Sequence, residues 1–98
     1  MFFERSVTVP IEIAHHSISG ALHGHTLMVE VWTRANVDLD AWKEKVSAAV
    51  AFMENGPLEQ TVGRTFEEVA VFIFTKVPGV SRVAVRLPSR GHSVEVSP

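Results

Sequence analysis

Two runs of alternating apolar residues near the start of the chain constrain the fold more than any other feature. Every second residue in each run is a large aliphatic one: Val7, Val9, Ile11 and Ile13 in the first run and Leu27, Val29 and Val31 in the second. A period of two places such residues on one face of a strand. The runs therefore predict two antiparallel strands over residues 2–15 and 25–35, joined by a loop over residues 16–22. Pro10 indicates that the first strand lies at a sheet edge or contains a bulge.

The middle of the chain changes to a helical period. An acidic cap at Asp38 or Asp40 precedes apolar residues spaced three and four apart. These residues are Leu39, Trp42, Val46, Ala49, Val50 and Met53. The pattern predicts an amphipathic helix that ends at the Asn-Gly-Pro sequence of residues 55–57.

A second helix is predicted to begin at Thr65. Thr65 and Glu68 have the spacing of a capping box, in which the threonine hydroxyl caps the first turn and Glu68 reaches back to the cap. The buried face of this helix is predicted to consist of Val69, Phe72, Ile73 and Val77. The Pro78-Gly79 pair is expected to end the helix.

Two short strands are predicted to complete the chain, over residues 81–87 and 93–96, with a turn at residues 89–92. The order ββααββ predicts a single α+β domain over residues 1–98, with a four-stranded antiparallel sheet and two helices packed on one face. We expect the valines of the last two strands to occupy both faces of the sheet. An oligomer that closes several sheets into a larger barrel would bury such residues and hide the sheet edges.

Charge and composition argue against several classes of function. The formal net charge is −2 with histidine neutral, so the sequence offers no basic surface for nucleic acid or for an anionic membrane. The chain contains no cysteine, which excludes disulfides, thiolate zinc sites and a cysteine nucleophile. No apolar run is long enough to cross a bilayer, and the first residues lack the pattern of a signal peptide. We therefore expect a cytoplasmic protein.

Three histidines could together form a metal site. His23 and His25 are two residues apart where the second predicted strand begins, so in an extended chain they point to the same face. His15 ends the first strand, and the connecting loop could bring it beside them. Three imidazoles with a fourth position open are typical of a catalytic zinc site, although histidines in such a pattern are also common as ordinary surface residues. His16 would face the other way, and His92 would lie in an exposed turn.

The sequences around these histidines resemble those of the 6-pyruvoyltetrahydropterin synthase and 6-carboxytetrahydropterin synthase family. Ile11-Glu12-Ile13-Ala14-His15 is similar to the family's F-x-A-A-H segment, and Leu22-His23-Gly24-His25-Thr26 is similar to its H-G-H segment at the start of the next strand. Arg64-Thr65-Phe66-Glu67 resembles the P-T-x-E sequence at the head of the family's second helix. Val83-Ala84-Val85-Arg86 resembles the strand that follows.

The resemblance implies the tunnelling fold (T-fold), a ββααββ unit that assembles into rings with active sites at subunit interfaces. It implies a zinc ion held by His15, His23 and His25, and a lyase that acts on dihydroneopterin triphosphate or a related pterin. Glu67, and Thr65 through its backbone, would contact the pterin ring, although Glu67 would equally suit an acidic residue that stabilises a helix N-terminus. The implied assembly is a homo-oligomer, such as a hexamer built as a dimer of trimers.

The chain departs from the family pattern at four places. Ser19 stands where the family has its catalytic cysteine, and Glu54-Asn55 stands where the family has an Asp-His pair. Leu87-Pro88 replaces the motif that carries the pterin-anchoring glutamate, and the segment before the first helix is shorter. Ser19 and Glu54 are then the remaining candidates for catalytic proton transfer. Two hypotheses follow: a zinc-dependent lyase of the pterin synthase type, or a diverged zinc-binding T-fold protein that binds another ligand or has a structural role.

Overall fold

The computed structural model describes residues 3–16, 22–53 and 65–98, apart from the side chains of His15, His16, Leu22, His23 and Phe52. The first half contains strands β1 (Arg5–His16) and β2 (Leu22–Thr33), helix α1 (Leu39–Val50) and a 3-10 turn (Ala51–Met53). The second half contains helix α2 (Phe66–Lys76), strand β3 (Val80–Leu87), a 3-10 turn (Pro88–Arg90) and strand β4 (His92–Val96). The predicted α+β class and the order ββααββ are confirmed.

The four strands form one antiparallel sheet in which the spatial order follows the chain order, β1-β2-β3-β4. Strands β1 and β2 pair along their whole length, from Arg5 opposite Thr33 to His16 opposite Leu22. The prediction had placed residues 16 and 22 in a loop, whereas the antiparallel pairing continues through both. Strand β2 pairs with β3 only from Met28 onwards, so in the described residues the histidine end of the hairpin extends past β3.

One face of the sheet carries the core, and both helices cover it. Helix α1 packs against β1, and α2 packs against β3 and β4. The odd-numbered aliphatic residues of the first two strands are all buried, as the alternation predicted. The helices contribute Trp42, Val46, Val50, Val69, Ala70, Ile73 and Val77 to the same cluster. Phe72, which was predicted to be buried, is only partly buried and packs at the margin of the core.

Both predicted helix caps form. The Asp38 carboxylate accepts a hydrogen bond of 3.1 Å from the backbone N–H of Asp40, which identifies Asp38 rather than Asp40 as the cap of α1. The Thr65 hydroxyl accepts a bond of 3.2 Å from the backbone N–H of Glu68 at the start of α2. The predicted end of the first helix at residues 55–57 was too late, because α1 ends at Val50 and continues only as the 3-10 turn to Met53. Residues 55–57 themselves lie outside the described residues. Within those residues, no helix is both long and apolar enough to span a bilayer.

The valines of β3 and β4 correct one expectation from the sequence. Val83 is the register partner of Val96, and Val85 is the partner of Val94, so all four share the helix-covered face. The opposite face of β3 presents Arg82, Ala84 and Arg86 instead. The expectation that valines occupy both faces was wrong, and the valines therefore give no argument for a closed barrel.

The face of the sheet without helices is covered by paired charges around Trp32. The Arg82 guanidinium stacks 3.9 Å from the centre of the Trp32 ring, and it lies 3.1 Å from the Glu4 carboxylate. Arg86 donates a bond of 2.8 Å to Glu30, and the Ser6 hydroxyl donates one of 2.6 Å to the other oxygen of Glu30. Opposite charges on neighbouring strands thus pair within the chain, and Arg82 Nε is the one buried side-chain polar atom of the described residues without a hydrogen-bond partner.

Thr33 is the only polar residue fully buried among the described residues, at the end of β2. Its hydroxyl donates a bond of 2.7 Å to the carbonyl of Gly79 and accepts one of 3.1 Å from the backbone N–H of Ala35. Gly79 has a positive φ of 79°, which is the conformation that the turn between α2 and β3 requires. Thr33 thus fastens the β2–α1 connection to the α2–β3 turn.

Candidate metal centre

The strand register brings together the three backbone positions that were predicted to bind metal. His15 of β1 is the direct register partner of His23 of β2, and His25 lies two residues further along the same strand. Directly opposed residues in an antiparallel pair have Cα atoms about 4.5–5.5 Å apart, and residues i and i+2 point to the same face. The three positions therefore share one face and lie next to one another. His15 reaches His23 through strand pairing, and no return of the loop is needed.

This face is the same one that carries the hydrophobic core. Ile13 lies opposite His25, and Ile11 lies opposite Leu27, and all three of these aliphatic residues are buried. The His25 side chain is half-buried. The three histidine positions thus extend the core face beyond the last buried aliphatic residues. A ligand bound there would contact apolar side chains on one side.

Gly24, between the two histidines of β2, lies on the opposite face with Ala14 as its register partner. A β-carbon at this position would meet only the carbonyl oxygen of Ile13, at 3.8 Å, which is an ordinary van der Waals contact. Gly24 also lacks the positive φ seen at Gly79 and Gly91. Neither space nor backbone conformation therefore requires glycine here, so Gly24→Ala is a suitable control for changes to its histidine neighbours.

The arrangement of positions fits a zinc ion in its donor chemistry. Neutral imidazole nitrogens bind Zn²⁺ at about 2.0–2.1 Å, and three of them leave a fourth tetrahedral position for water or substrate. Among the side chains that the structure describes, no three His, Cys, Asp or Glu groups form a metal-binding cluster. The side chains of His15 and His23 are outside that set, so the triad stays a prediction that rests on the backbone register.

The other predicted site residues are distributed differently. Ser19 and Glu54 lie outside the described residues. Thr65 is exposed and serves as the N-cap of α2, with its hydroxyl occupied by the N–H of Glu68. Glu67 is exposed in the first turn of α2, a position where a negative charge favours the helix dipole. Their predicted contact with a pterin stays a prediction.

A cleft of about 380 Å³ lies beside the histidine end of β2. Its lining consists of Gly24, His25, Thr26, Met28, Pro88 and Ser89. Sequence reasoning did not identify this cleft, in which Thr26 and Met28 share the face of Gly24, opposite to that of the three histidine positions. The period of two could have placed Thr26 and Met28 on one face of β2. Ser89 comes close to them because Met28 pairs with Arg86, and this pairing cannot be predicted from the sequence.

Leu87 occupies the position where the resembling family has its pterin-anchoring motif, and it is buried in the core at the end of β3. The neighbouring Pro88 lines the cleft. The anchoring carboxylate is thus replaced by a core leucine and a cleft-lining proline. A ligand in this cleft would meet apolar surface and the hydroxyls of Thr26 and Ser89, with the Thr26 hydroxyl donating 2.7 Å to Glu12.

Glu30 is the best-fixed carboxylate near the middle of the hairpin. Burial alone would raise its pKa, but the hydrogen bonds from Ser6 and Arg86 and the positive charges of Arg86 and Arg82 outweigh burial. The pKa of Glu30 is therefore held below its ordinary value of 4.5. Glu30 stays ionised and paired at neutral pH, so it is a structural group and not a candidate proton donor.

Comparison with known proteins identifies no family for this chain. No protein-family profile matches the sequence, and no curated protein matches it significantly.

Proposed function

We propose that this protein is a zinc-binding protein of the 6-pyruvoyltetrahydropterin or 6-carboxytetrahydropterin synthase type, with His15, His23 and His25 as the metal ligands. The substrate is dihydroneopterin triphosphate or a related pterin. The observation that carries the proposal is the strand register, in which positions 15 and 23 are direct partners and position 25 shares their face. The sequence similarity around these residues supports the same reading.

Each residue of the proposed site has a distinct task. The three imidazoles bind zinc, which when bound would polarise a substrate oxygen or lower the pKa of a water molecule. Ser19 and Glu54 move protons to and from the substrate side chain. Thr65 and Glu67 contact the pterin ring. The site is completed in a homo-oligomer, for which a hexamer is the expected form.

A second candidate function is a zinc-binding T-fold protein without synthase activity. Two observations favour it. Leu87 is buried in the core where a pterin-anchoring carboxylate would be needed. Ser19 replaces a thiolate base, and a serine hydroxyl is a far weaker base unless a neighbour activates it. In this reading the histidines still bind zinc, and the ligand is another molecule or the metal has a structural role.

Metal analysis tests the feature that both candidates share. Protein purified without added chelator should contain about one zinc per chain, and His23→Ala should lose most of it. Gly24→Ala is the matched control, because a methyl group at that position has room, and it should retain the metal. Zinc absent from the unsubstituted protein, or equal zinc in both variants, would refute the triad.

Turnover separates the two candidates once zinc is present. The zinc-loaded protein is incubated with dihydroneopterin triphosphate, and loss of the substrate is followed by chromatography. Consumption that depends on His23 and survives in Gly24→Ala supports the synthase reading. Stoichiometric zinc without consumption supports the second candidate, and the mass in solution then tells whether the oligomer forms independently of activity.

A further inference from the structure

A second cleft, of about 360 Å³, lies at the end of the β1–β2 hairpin that is opposite to the histidines. Its lining is Phe3, Arg5, Arg34, Ala35 and Asn36. Arg5 pairs with Thr33, whereas His15 pairs with His23, and the strand rises about 3.3 Å per residue, so the two ends are roughly 33 Å apart. A small ligand bound at the histidines therefore does not reach this cleft.

Arg5 is a half-buried cation that is held in place by neutral groups. Its Nη2 donates 2.6 Å to the carbonyl of Val37 and 3.2 Å to the carbonyl of Ala35. In the described part of the chain, no carboxylate lies within ion-pair distance of Arg5. The Nε and Nη1 groups of its planar fork still have hydrogens to donate. A guanidinium that is fixed and partly desolvated without a counter-ion favours an anion from outside the chain.

A second guanidinium, that of Arg34, lines the same cleft. Arg34 is 60% exposed, and its Nε lies 3.7 Å from the Glu4 carboxylate, at the long end of the range for an ion pair. Glu4 is already shared, because it lies 3.1 Å from Arg82 and accepts a bond of 2.8 Å from the Ser81 hydroxyl. Arg82 also lies 3.5 Å from the Glu95 carboxylate, so Glu4 and Glu95 together balance Arg34 and Arg82. The positive charge of the cleft therefore comes from Arg5, although the chain as a whole is negative.

We propose that this cleft binds a small organic oxyanion, a carboxylate or a phosphate attached to an apolar group. Arg5 and Arg34 provide charge-assisted hydrogen bonds to the oxyanion, for which arginine has the matching planar geometry. The Asn36 side chain adds an amide group to the lining of the cleft. Phe3 is 75% exposed at the same cleft, and its ring offers the apolar group a surface to cover.

The test is a titration followed by backbone amide NMR signals, with phenyl phosphate and benzoate as organic probes and inorganic phosphate and acetate as their matched simple anions. An organic probe should shift the signals of residues 34–36 saturably, with a dissociation constant in the range of about 1 mM or below. It should bind more tightly than the simple anion of the same charge type. The better of the two organic probes identifies phosphate or carboxylate as the preferred group.

Arg34→Gln should weaken the binding about tenfold, as expected for loss of one charge-assisted contact. Arg34 is used because its side chain is mostly exposed, whereas loss of Arg5 would also remove the bonds to Ala35 and Val37. Arg90→Gln, at an exposed arginine in the turn after β3, removes the same charge elsewhere and should leave binding unchanged. Three results would overturn the proposal: no saturable shift at residues 34–36, equal weakening by both variants, or equal affinity for the organic and simple anions. None of these depends on zinc, so the result is independent of the metal site.

Discussion

Replacing Thr33 by valine tests how the two halves of the structure are fastened together. Valine keeps the shape of threonine and removes only the hydroxyl, which makes bonds of 2.7 Å to Gly79 and 3.1 Å from Ala35. Each hydrogen bond contributes about 0.5–1.5 kcal/mol net, and a partner left unsatisfied costs about 1–3 kcal/mol. Thr33 is fully buried, whereas Ala35 and Gly79 are exposed residues, so the destabilisation comes mainly from the loss of the two bonds themselves. We expect Thr33→Val to lower the free energy of unfolding by about 2–3 kcal/mol.

The measurement is urea unfolding followed by circular dichroism, with a thermal scan beside it. For a domain of this size the expected change corresponds to a midpoint temperature roughly 10–20 °C lower. Thr33→Ser is the first control, because it keeps the hydroxyl and loses one buried methyl, which costs about 1 kcal/mol. Thr75→Val is the second, because the exposed Thr75 hydroxyl donates only to carbonyls of its own helix, and the change should stay within about 0.5 kcal/mol. A Thr33→Val protein more stable than Thr33→Ser would refute the assignment of the effect to the two bonds.

Two further predictions follow from charges and backbone conformation. Glu30→Gln should destabilise the fold by about 1–3 kcal/mol at neutral pH, because the bonds from Arg86 and Ser6 lose their charge assistance. The pKa of Glu30 is lowered in the folded state, so the ionised carboxylate adds to the free energy of unfolding above pH 4.5. This stabilisation is lost as the pH falls through the lowered pKa. The urea midpoints of Glu30→Gln and of the unsubstituted protein should therefore converge in acid. Gly79→Ala should lower the free energy of unfolding by about 1–2 kcal/mol, because Gly79 has a φ of 79°. Gly24→Ala should leave the free energy of unfolding nearly unchanged. Equal thermal midpoints for the two variants would contradict this prediction.

Local patterns in the sequence were sufficient for most of the fold. The alternation around Val9 and Val29 depends on a period of two that no distant contact can change, so the hairpin was predictable. The cap at Thr65 was predictable because it depends on residues three positions apart. The strand ends at His16 and Leu22 were missed, because the extent of pairing is a property of both strands together.

The candidate site was predictable in part for the same reason. That His23 and His25 share a face follows from the geometry of one strand, and the register of β1 with β2 adds His15. The faces of Val83 and Val96 could not be read in this way, because they depend on how β3 pairs with β2 across the helices. Arg5 was also missed, since its role arises from carbonyls 30 and 32 positions away in the chain.

The agreement between strand order and chain order has a consequence for how the molecule holds together. Strands β1 and β2 are neighbours in the chain, as are β3 and β4, and each pair has its own helix packed against it. Among the strand pairs of the described residues, only β2 with β3 joins distant parts of the sequence, and the Thr33–Gly79 bond at its end spans 46 positions. The entropy of closing this long loop is therefore lost when β2 pairs with β3. The stability of the β2–β3 pairing therefore determines whether the two hairpins unfold as one unit or as two. Thr33 lies at the end of this pairing.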